Sequence, residues 1–282
     1  MKVWLAPEFT VTAPDGLDAL AVEQVWYTSQ DGTRIPMFLV GPAGRPRDGD
    51  APTVLTGYGG FNISKSPLFT PAAVLWARRG GLYALPNLRG GSEYGETWHR
   101  AGMLGNKQNV FDDFIAAAEH LIAGGYTRRE RLGIMGRSNG GLLVGAALTQ
   151  RPDLFRAVAC GVPLLDMLRY HRFRIARLWV AEYGSAENPE QYGWLRAYSP
   201  YHHVDPGTAY PAVLFTTADS DSRVDPLHAR KMAALLQSLG GAAPVLLRVD
   251  TSAGHGVGKP LAKLVAEQAA IWTFLAWQLE QA

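Results

Sequence analysis

Cysteine is almost absent from this chain. Cys160 is the single one among 282 residues, which excludes an internal disulfide and a cysteine-based metal cluster. Its place at the end of the apolar run 157–160 makes it a packing residue. Long hydrophobic runs are lacking as well. No stretch reaches the roughly 18 apolar residues of a membrane-spanning helix, and residues 1–12 hold no apolar core of a signal peptide. No membrane partner is therefore expected, and the expected location is cytoplasmic. A surplus of one charge sign is also missing: 27 basic residues stand against 25 acidic ones, for a formal net charge of +2. The densest basic patch, 169–177 around His171, has no repeated aromatic and lysine pattern, so nucleic acid is not an expected partner. Repeats and low-complexity segments do not occur, and 47% hydrophobic against 18% charged residues excludes a disordered chain. Such a chain can bury a full core as one large α/β domain or two small ones.

Residues 22–29 and 34–40 are rich in β-branched and aromatic side chains and flank Gln30-Asp31-Gly32-Thr33, so they are expected to pair as a hairpin. Residues 41–50 read as a surface loop, and 52–56 as a buried strand leading into Gly57-Tyr58-Gly59-Gly60-Phe61-Asn62. No Gly-Lys-Ser or Gly-Lys-Thr follows that glycine-dense loop, which excludes a phosphate loop. A helix over 67–79 stops at Gly80-Gly81, a strand occupies 82–87, and 89–95 is too rich in glycine to be regular. The spacing predicts an amphipathic helix over 109–123, with Phe111, Phe114, Ile115, Ala118 and Ile122 on one side. Further on, strands at 157–160, 210–218 and 245–249 alternate with helices at 227–239 and 261–279. Residues 164–207 are the least regular and hold Trp179, Tyr183, Trp194, Tyr198 and Tyr201, as an insertion lining a site entrance would. The alternation implies an α/β fold with a mostly parallel twisted sheet and helices on both faces.

One stretch organises the rest. The apolar run after Arg131 gives way to Gly136-Arg137-Ser138-Asn139-Gly140-Gly141 and then to a small-residue helix reaching about Gln150, the strand, tight turn and helix of a nucleophile elbow. Ser138 is the reacting atom's candidate. In an α/β-hydrolase arrangement the loop 57–62 lies beside this elbow and supplies a donor for an oxyanion hole. A serine hydroxyl needs a base to accept its proton, and the base needs an acid to hold its tautomer. Of seven histidines only His255 lies in a loop after a late strand with glycine on both sides. His99, His120, His171 and His228 fall in helical or charged contexts and read as solvated, while His202-His203 reads as a turn or core contact. Asp219, Asp221 and Asp225 all follow the same strand. Asp219 can cap its own turn, Asp225 before Pro226 resembles a helix N-cap, and Asp221 between them is the preferred acid on pattern.

Five spaced motifs together resemble the catalytic domain of the prolyl oligopeptidase family. They are 57–64, 87–95, 136–141, 221–224 and 253–256, and the similarity runs in register from about Val22 to the end. The resemblance implies that Asp221 is the acid of a Ser138-Asp221-His255 triad, and that the Tyr58 hydroxyl and the Asn139 backbone N–H form the oxyanion hole. It implies that Trp179 is the indole that stacks on a substrate proline ring, that Phe61, Tyr183 and Val224 are further walls of that pocket, and that Arg223 holds a substrate backbone carbonyl. Read without the family, these aromatics would be core packing. No cofactor and no metal is expected.

Members of that family are usually much longer, with an N-terminal segment and a seven-bladed β-propeller over the active site. This chain is expected to be one domain over 1–282, with 1–21 as an N-terminal extension and no propeller. The site is then expected to be open, its uncovered apolar surface masked by polar substitutions or by another subunit of a homo-oligomer, with 1–16 a candidate for part of the cover. Three functions are weighed. A serine peptidase acting after proline in short peptides is supported by Trp179, Tyr183 and Arg223. A carboxylesterase acting on small esters is favoured by the missing cap, and a non-catalytic module would lack a triad member, yet none is lacking.

Overall fold

A computed structural model describes residues 17–66, 68–251, 254–255 and 259–280, and the cover expected of 1–16 lies outside them. Eight strands form one sheet: β1 (Leu20–Thr28), β2 (Arg34–Pro42), β3 (Thr53–Thr56), β4 (Leu82–Pro86), β5 (Leu132–Arg137), β6 (Ala157–Gly161), β7 (Ala212–Ala218) and β8 (Val245–Asp250). Their spatial order is β1-β2-β4-β3-β5-β6-β7-β8. The expected hairpin forms, because the Asp31 carboxylate accepts the Thr33 N–H at 3.0 Å and Ser29 N–H closes the turn on the Thr33 carbonyl at 2.8 Å. β2 joins β4 antiparallel, and from β4 through β8 all neighbours are parallel.

Alternation along the strands decides what covers each face. Val54, Ala157, Ala159 and Leu214 turn toward α1 (Pro71–Arg78) and α8 (Leu261–Glu280), where they meet Trp76, Ile271, Phe274 and Leu275. Their neighbours Leu55, Val158 and Phe215 point the other way, into the larger core with α3 (Gln108–Ala123), α4 (Asn139–Gln150) and α7 (Leu227–Ser238). Each buried side chain of this size contributes about 1.5–3 kcal/mol relative to exposure. The sheet is thus mostly parallel and covered on both faces, as expected, and Cys160 is buried in the larger core.

Several details differ from expectation. α1 starts at Pro71 rather than 67, because Thr70 before the proline is extended and Pro71 occupies the first turn, where its missing N–H costs nothing. A short helix, α2 (Glu96–Arg100), follows the glycine-rich loop. Within 164–207, α5 (Val180–Tyr183) and α6 (Pro189–Tyr198) interrupt the irregular chain, and α6 is capped by Asn188, whose side-chain Oδ1 accepts the Glu190 and Gln191 N–H groups. Among the described residues no helix is long and apolar enough to cross a membrane.

Parallel strands send their C-terminal ends to one edge. The loops after β3, β5, β7 and β8 gather there, bringing Tyr58, Ser138, Asp221 and His255 from widely separated stretches to one place.

Candidate active site

Ser138 stands between the end of β5 and α4 with φ 59° and ψ −119°, a left-handed conformation that a non-glycine residue rarely adopts. The turn is possible because of its flanking glycines: a Cβ on Gly136 would lie 1.9 Å from the Gly140 carbonyl oxygen. The strain lifts the Ser138 hydroxyl off the strand end, where His255 Nε2 lies 3.1 Å from Oγ. His255 Nδ1 lies 2.7 Å from Asp221 Oδ2, and the buried Asp221 uses its other oxygen to accept the Arg223 and Val224 N–H groups, each at 2.9 Å. Burial alone would push the Asp221 carboxyl up, but the His255 hydrogen bond and charge and the two backbone donors outweigh it and hold it below its ordinary value. An ionised Asp221 in turn fixes Nδ1 as the protonated ring nitrogen and leaves Nε2 to accept from Ser138.

The other two aspartates of that loop are committed elsewhere. Asp219 is exposed and accepts from the Ser220 hydroxyl at 3.0 Å, while Asp225 accepts the Leu227 N–H at 3.0 Å and pairs with Arg174 at 3.0 Å. The capping geometry expected of Asp225 is therefore present.

Beside Ser138, the half-buried Tyr58 phenol is raised in pKa chiefly by burial, against the opposing charge of Arg223 and a hydrogen bond shared with Ser138. It remains a donor at neutral pH. Asn139, the first residue of α4, has a backbone N–H with no carbonyl one turn back to receive it. Its side chain ties two loops together, donating to the Tyr58 carbonyl at 2.5 Å and accepting from the Tyr183 hydroxyl at 2.7 Å.

An aromatic cluster borders this centre. Phe61 meets Trp179 edge-on at 6.3 Å and Tyr183 at 5.4 Å between ring centroids. Trp179 and Phe61 are half-buried and Arg223 is exposed, whereas Tyr183 and Val224 are buried and form the floor beneath them. All ten residues singled out by sequence thus lie at or next to one strand edge. On another side a groove of about 660 Å³ runs from Ser138 and Tyr58 past Lys65 to Phe38, Leu68 and Phe69. Leu68 is 82% and Phe69 65% exposed at its outer end.

Charged residues behind the aromatic cluster escaped the sequence reading. Glu182 Oε1 accepts the Phe61 N–H at 3.0 Å and lies 3.2 Å from Lys107 Nζ, while Oε2 lies 2.9 Å from His99 Nε2. Lys107 is wholly buried and also donates to the Gly59 carbonyl at 2.9 Å. Burial pushes its ammonium down in pKa and the Glu182 charge opposes that. A Cβ on Gly60 would come 2.7 Å from the Asn139 amide nitrogen and 3.0 Å from Lys107 Nζ, which accounts for glycine at this crowded point. The loop's glycine density was the visible signal, but no spacing paired Lys107 with Glu182. All four histidines expected to be solvated depart from that state: His99 pairs with Glu182, and His120 packs between Tyr27 and Tyr126. His228 is buried and accepts the Leu165 and Asp166 N–H groups through Nδ1 at 3.3 and 3.1 Å, and His171 is buried against Tyr170. Helical period located α7 but could not say which of its polar residues faces inward.

Comparison with known proteins agrees with this architecture. The sequence profile of the prolyl oligopeptidase family matches residues 67–282. The chain is 48% identical over 259 residues to a prolyl endopeptidase of Elizabethkingia meningoseptica, covering 91% of this chain and 37% of that protein. It is 44% identical over 261 residues to a prolyl endopeptidase of Dictyostelium discoideum, covering 90% of this chain and 34% of that one. A solved prolyl endopeptidase structure superposes with a TM-score of 0.93 at 53% identity, covering 95% of this chain and 40% of the other. A post-proline cleaving enzyme from Rickettsia typhi does so with 0.90 at 39%, covering 93% and 38%. The chain therefore spans little more than a third of the length of these relatives.

Proposed function

From the premise that the chain belongs to the prolyl oligopeptidase family, we propose that it is a serine peptidase cleaving short peptides after proline through a Ser138-Asp221-His255 triad. The observation that carries the reading is the unbroken line from Asp221 Oδ2 through His255 to Ser138 Oγ, at 2.7 and 3.1 Å. In the first step Ser138 Oγ bonds to the carbonyl carbon and its proton passes to His255 Nε2. The carbonyl π electrons move to oxygen, where the Tyr58 hydroxyl and the Asn139 N–H donate to the oxyanion; losing one such donor typically costs about 10²–10³ in turnover. Collapse breaks the C–N bond, and the Nε2 proton leaves on the amine. Water then repeats the sequence on the acyl-enzyme, with His255 again taking a proton, and Ser138 is restored.

Substrate choice is assigned to the neighbouring residues. A proline ring laid on Trp179 is walled by Phe61 with Tyr183 and Val224 beneath, and Arg223 donates to a backbone carbonyl of the peptide. The chain needs no cofactor or metal in this scheme, since every proton and electron pair is handled by its own side chains.

A phosphonate that mimics the tetrahedral intermediate tests the reading. It should label Ser138, Ser138→Ala should abolish labelling and prolyl anilide turnover together, and Asp221→Asn should lower turnover by about 10⁴-fold while the protein stays folded. Labelling at a different serine would overturn the assignment. Turnover of a short nitrophenyl ester with no cleavage of the anilide would replace the peptidase with a small-ester hydrolase.

A further inference from the structure

His255 lies in the connection between β8, which ends at Asp250, and α8, which begins at Leu261. A side chain in such a connection has no strand ladder or helix of its own to place it, so its position depends on what grips the backbone. Charged side chains brace this connection from its start to its end, and one of them grips its backbone at His255. At its start, Asp250 takes Arg248 Nη2 at 2.9 Å on one oxygen and the Lys259 ammonium on the other. At its end, Lys259, whose side chain is almost wholly buried, also donates to Glu267 Oε2 at 2.9 Å. At His255 itself, the Arg137 guanidinium donates to the backbone carbonyl through Nη2 and to Glu267 Oε1 through Nη1 at 3.1 Å.

We infer that Arg137, Glu267 and Lys259 form an ionic clamp that positions the His255 backbone against Ser138, with Arg137 the positioning residue that ties the base to the nucleophile's own strand. Arg137 is the last residue of β5 and precedes Ser138 directly. Its guanidinium links strand end and histidine carbonyl by a path separate from the Ser138–His255 hydrogen bond, so the two reacting side chains are referred to one rigid point. The planar fork of arginine matters here, because one group must reach a carboxylate and a carbonyl in different directions, which a lysine ammonium does less well. Glu267 is 3% exposed and is the junction of the clamp, since its two oxygens serve the two cations. Removing its charge would leave the part-exposed Arg137 without its carboxylate and the buried Lys259 with Asp250 alone, so the two cations would lose the partner that joins them. Displacement of a reacting group by about 1 Å can cost on the order of 10² in rate, which is the scale of effect such a clamp controls.

This inference rests on the reading of Ser138 and His255 as nucleophile and base, and the test separates the two. The rate of phosphonate labelling at Ser138, with kcat and KM for a prolyl anilide, is measured for the parent, Arg137→Ala and Glu267→Gln. A parent that is not labelled at Ser138 defeats the functional reading itself. With the parent labelled, labelling and kcat should fall about ten- to a hundredfold in both variants while KM stays within about threefold. Methylguanidinium added to Arg137→Ala should restore kcat several-fold and leave the parent unchanged, a response that a loss of packing would not give. Labelling of either variant at the parent's rate overturns the clamp, and so does a loss shared equally by kcat and 1/KM without rescue. Should Arg137→Ala fail to fold, the nearly isosteric Glu267→Gln alone decides between these outcomes.

Discussion

Glu182 holds the backbone N–H of Phe61 at 3.0 Å from 121 positions further along the chain, and in doing so fixes a residue whose φ of 59° is left-handed. The Phe61 ring packs on Trp179 and Tyr183, so the carboxylate at its back controls the shape of that aromatic cluster. Lys107 and His99 converge on the same carboxylate, drawing the segments before α3 and in α2 into one support.

The first prediction follows from that support. Glu182→Gln should raise KM for a prolyl peptide by roughly tenfold or more with a smaller change in kcat, because it loosens a binding wall rather than the reacting groups. It should also lower the urea midpoint, since the buried Lys107 loses its countercharge, a loss of about 3–5 kcal/mol for a buried pair broken on one side. Adding Lys107→Met to Glu182→Gln should recover stability but not KM. Recovery of both by the double variant would show that the carboxylate acts only through overall stability.

The second prediction concerns acid. Burial, opposed by Asp166 and Asp225 and aided by Lys231, lowers the His228 pKa from 6.5 to about 4. Burial also lowers His120 and His202. A histidine held neutral in the fold binds fewer protons than in the unfolded chain, so its contribution is complete above about 6.5 and is lost as pH falls toward about 4. Stability measured by urea unfolding should therefore decline over that window by a few kcal/mol. His228→Gln can still accept the Leu165 and Asp166 N–H groups but does not titrate, and should flatten the decline by close to one proton. An identical slope in the parent and the variant would remove His228 from this account.

Much of this arrangement was legible because it is written locally. Asp31-Gly32 specifies its turn through a side-chain acceptor, and Gly136 and Gly140 mark a turn that excludes a Cβ. Asn188-Pro189, which caps α6, carried the same kind of signal, although the aromatic residues around it drew the reading toward irregular chain. What could not be read is pairing across the sheet edge. Three aspartates follow β7, and only the fold shows that Asp221 turns inward to receive two N–H groups while Asp225 caps α7 and Asp219 faces water. Lys107 with Glu182, and Arg137 with Glu267, are likewise long-range choices that no spacing encodes.

The last prediction separates the peptidase from a general small-ester hydrolase. A proline ring on Trp179 buries an apolar face against an indole, and Arg223 offers a charge-assisted hydrogen bond to a carbonyl that a peptide has and a simple ester lacks. Trp179 is half-buried and Arg223 exposed, so replacing either should leave the core unharmed. Trp179→Ala and Arg223→Ala should each lower kcat/KM for a prolyl peptide by about ten- to a hundredfold, an interaction loss of roughly 1.4–2.8 kcal/mol. An acetate or butyrate nitrophenyl ester offers no proline ring to Trp179 and no peptide carbonyl to Arg223, and its turnover should change only a few-fold. The comparison is internal, because both substrates depend on the same Ser138, His255 and oxyanion donors. Equal losses on both would mean that the substitutions disturb those shared groups, and the proline pocket would then have to be sought elsewhere along the strand edge.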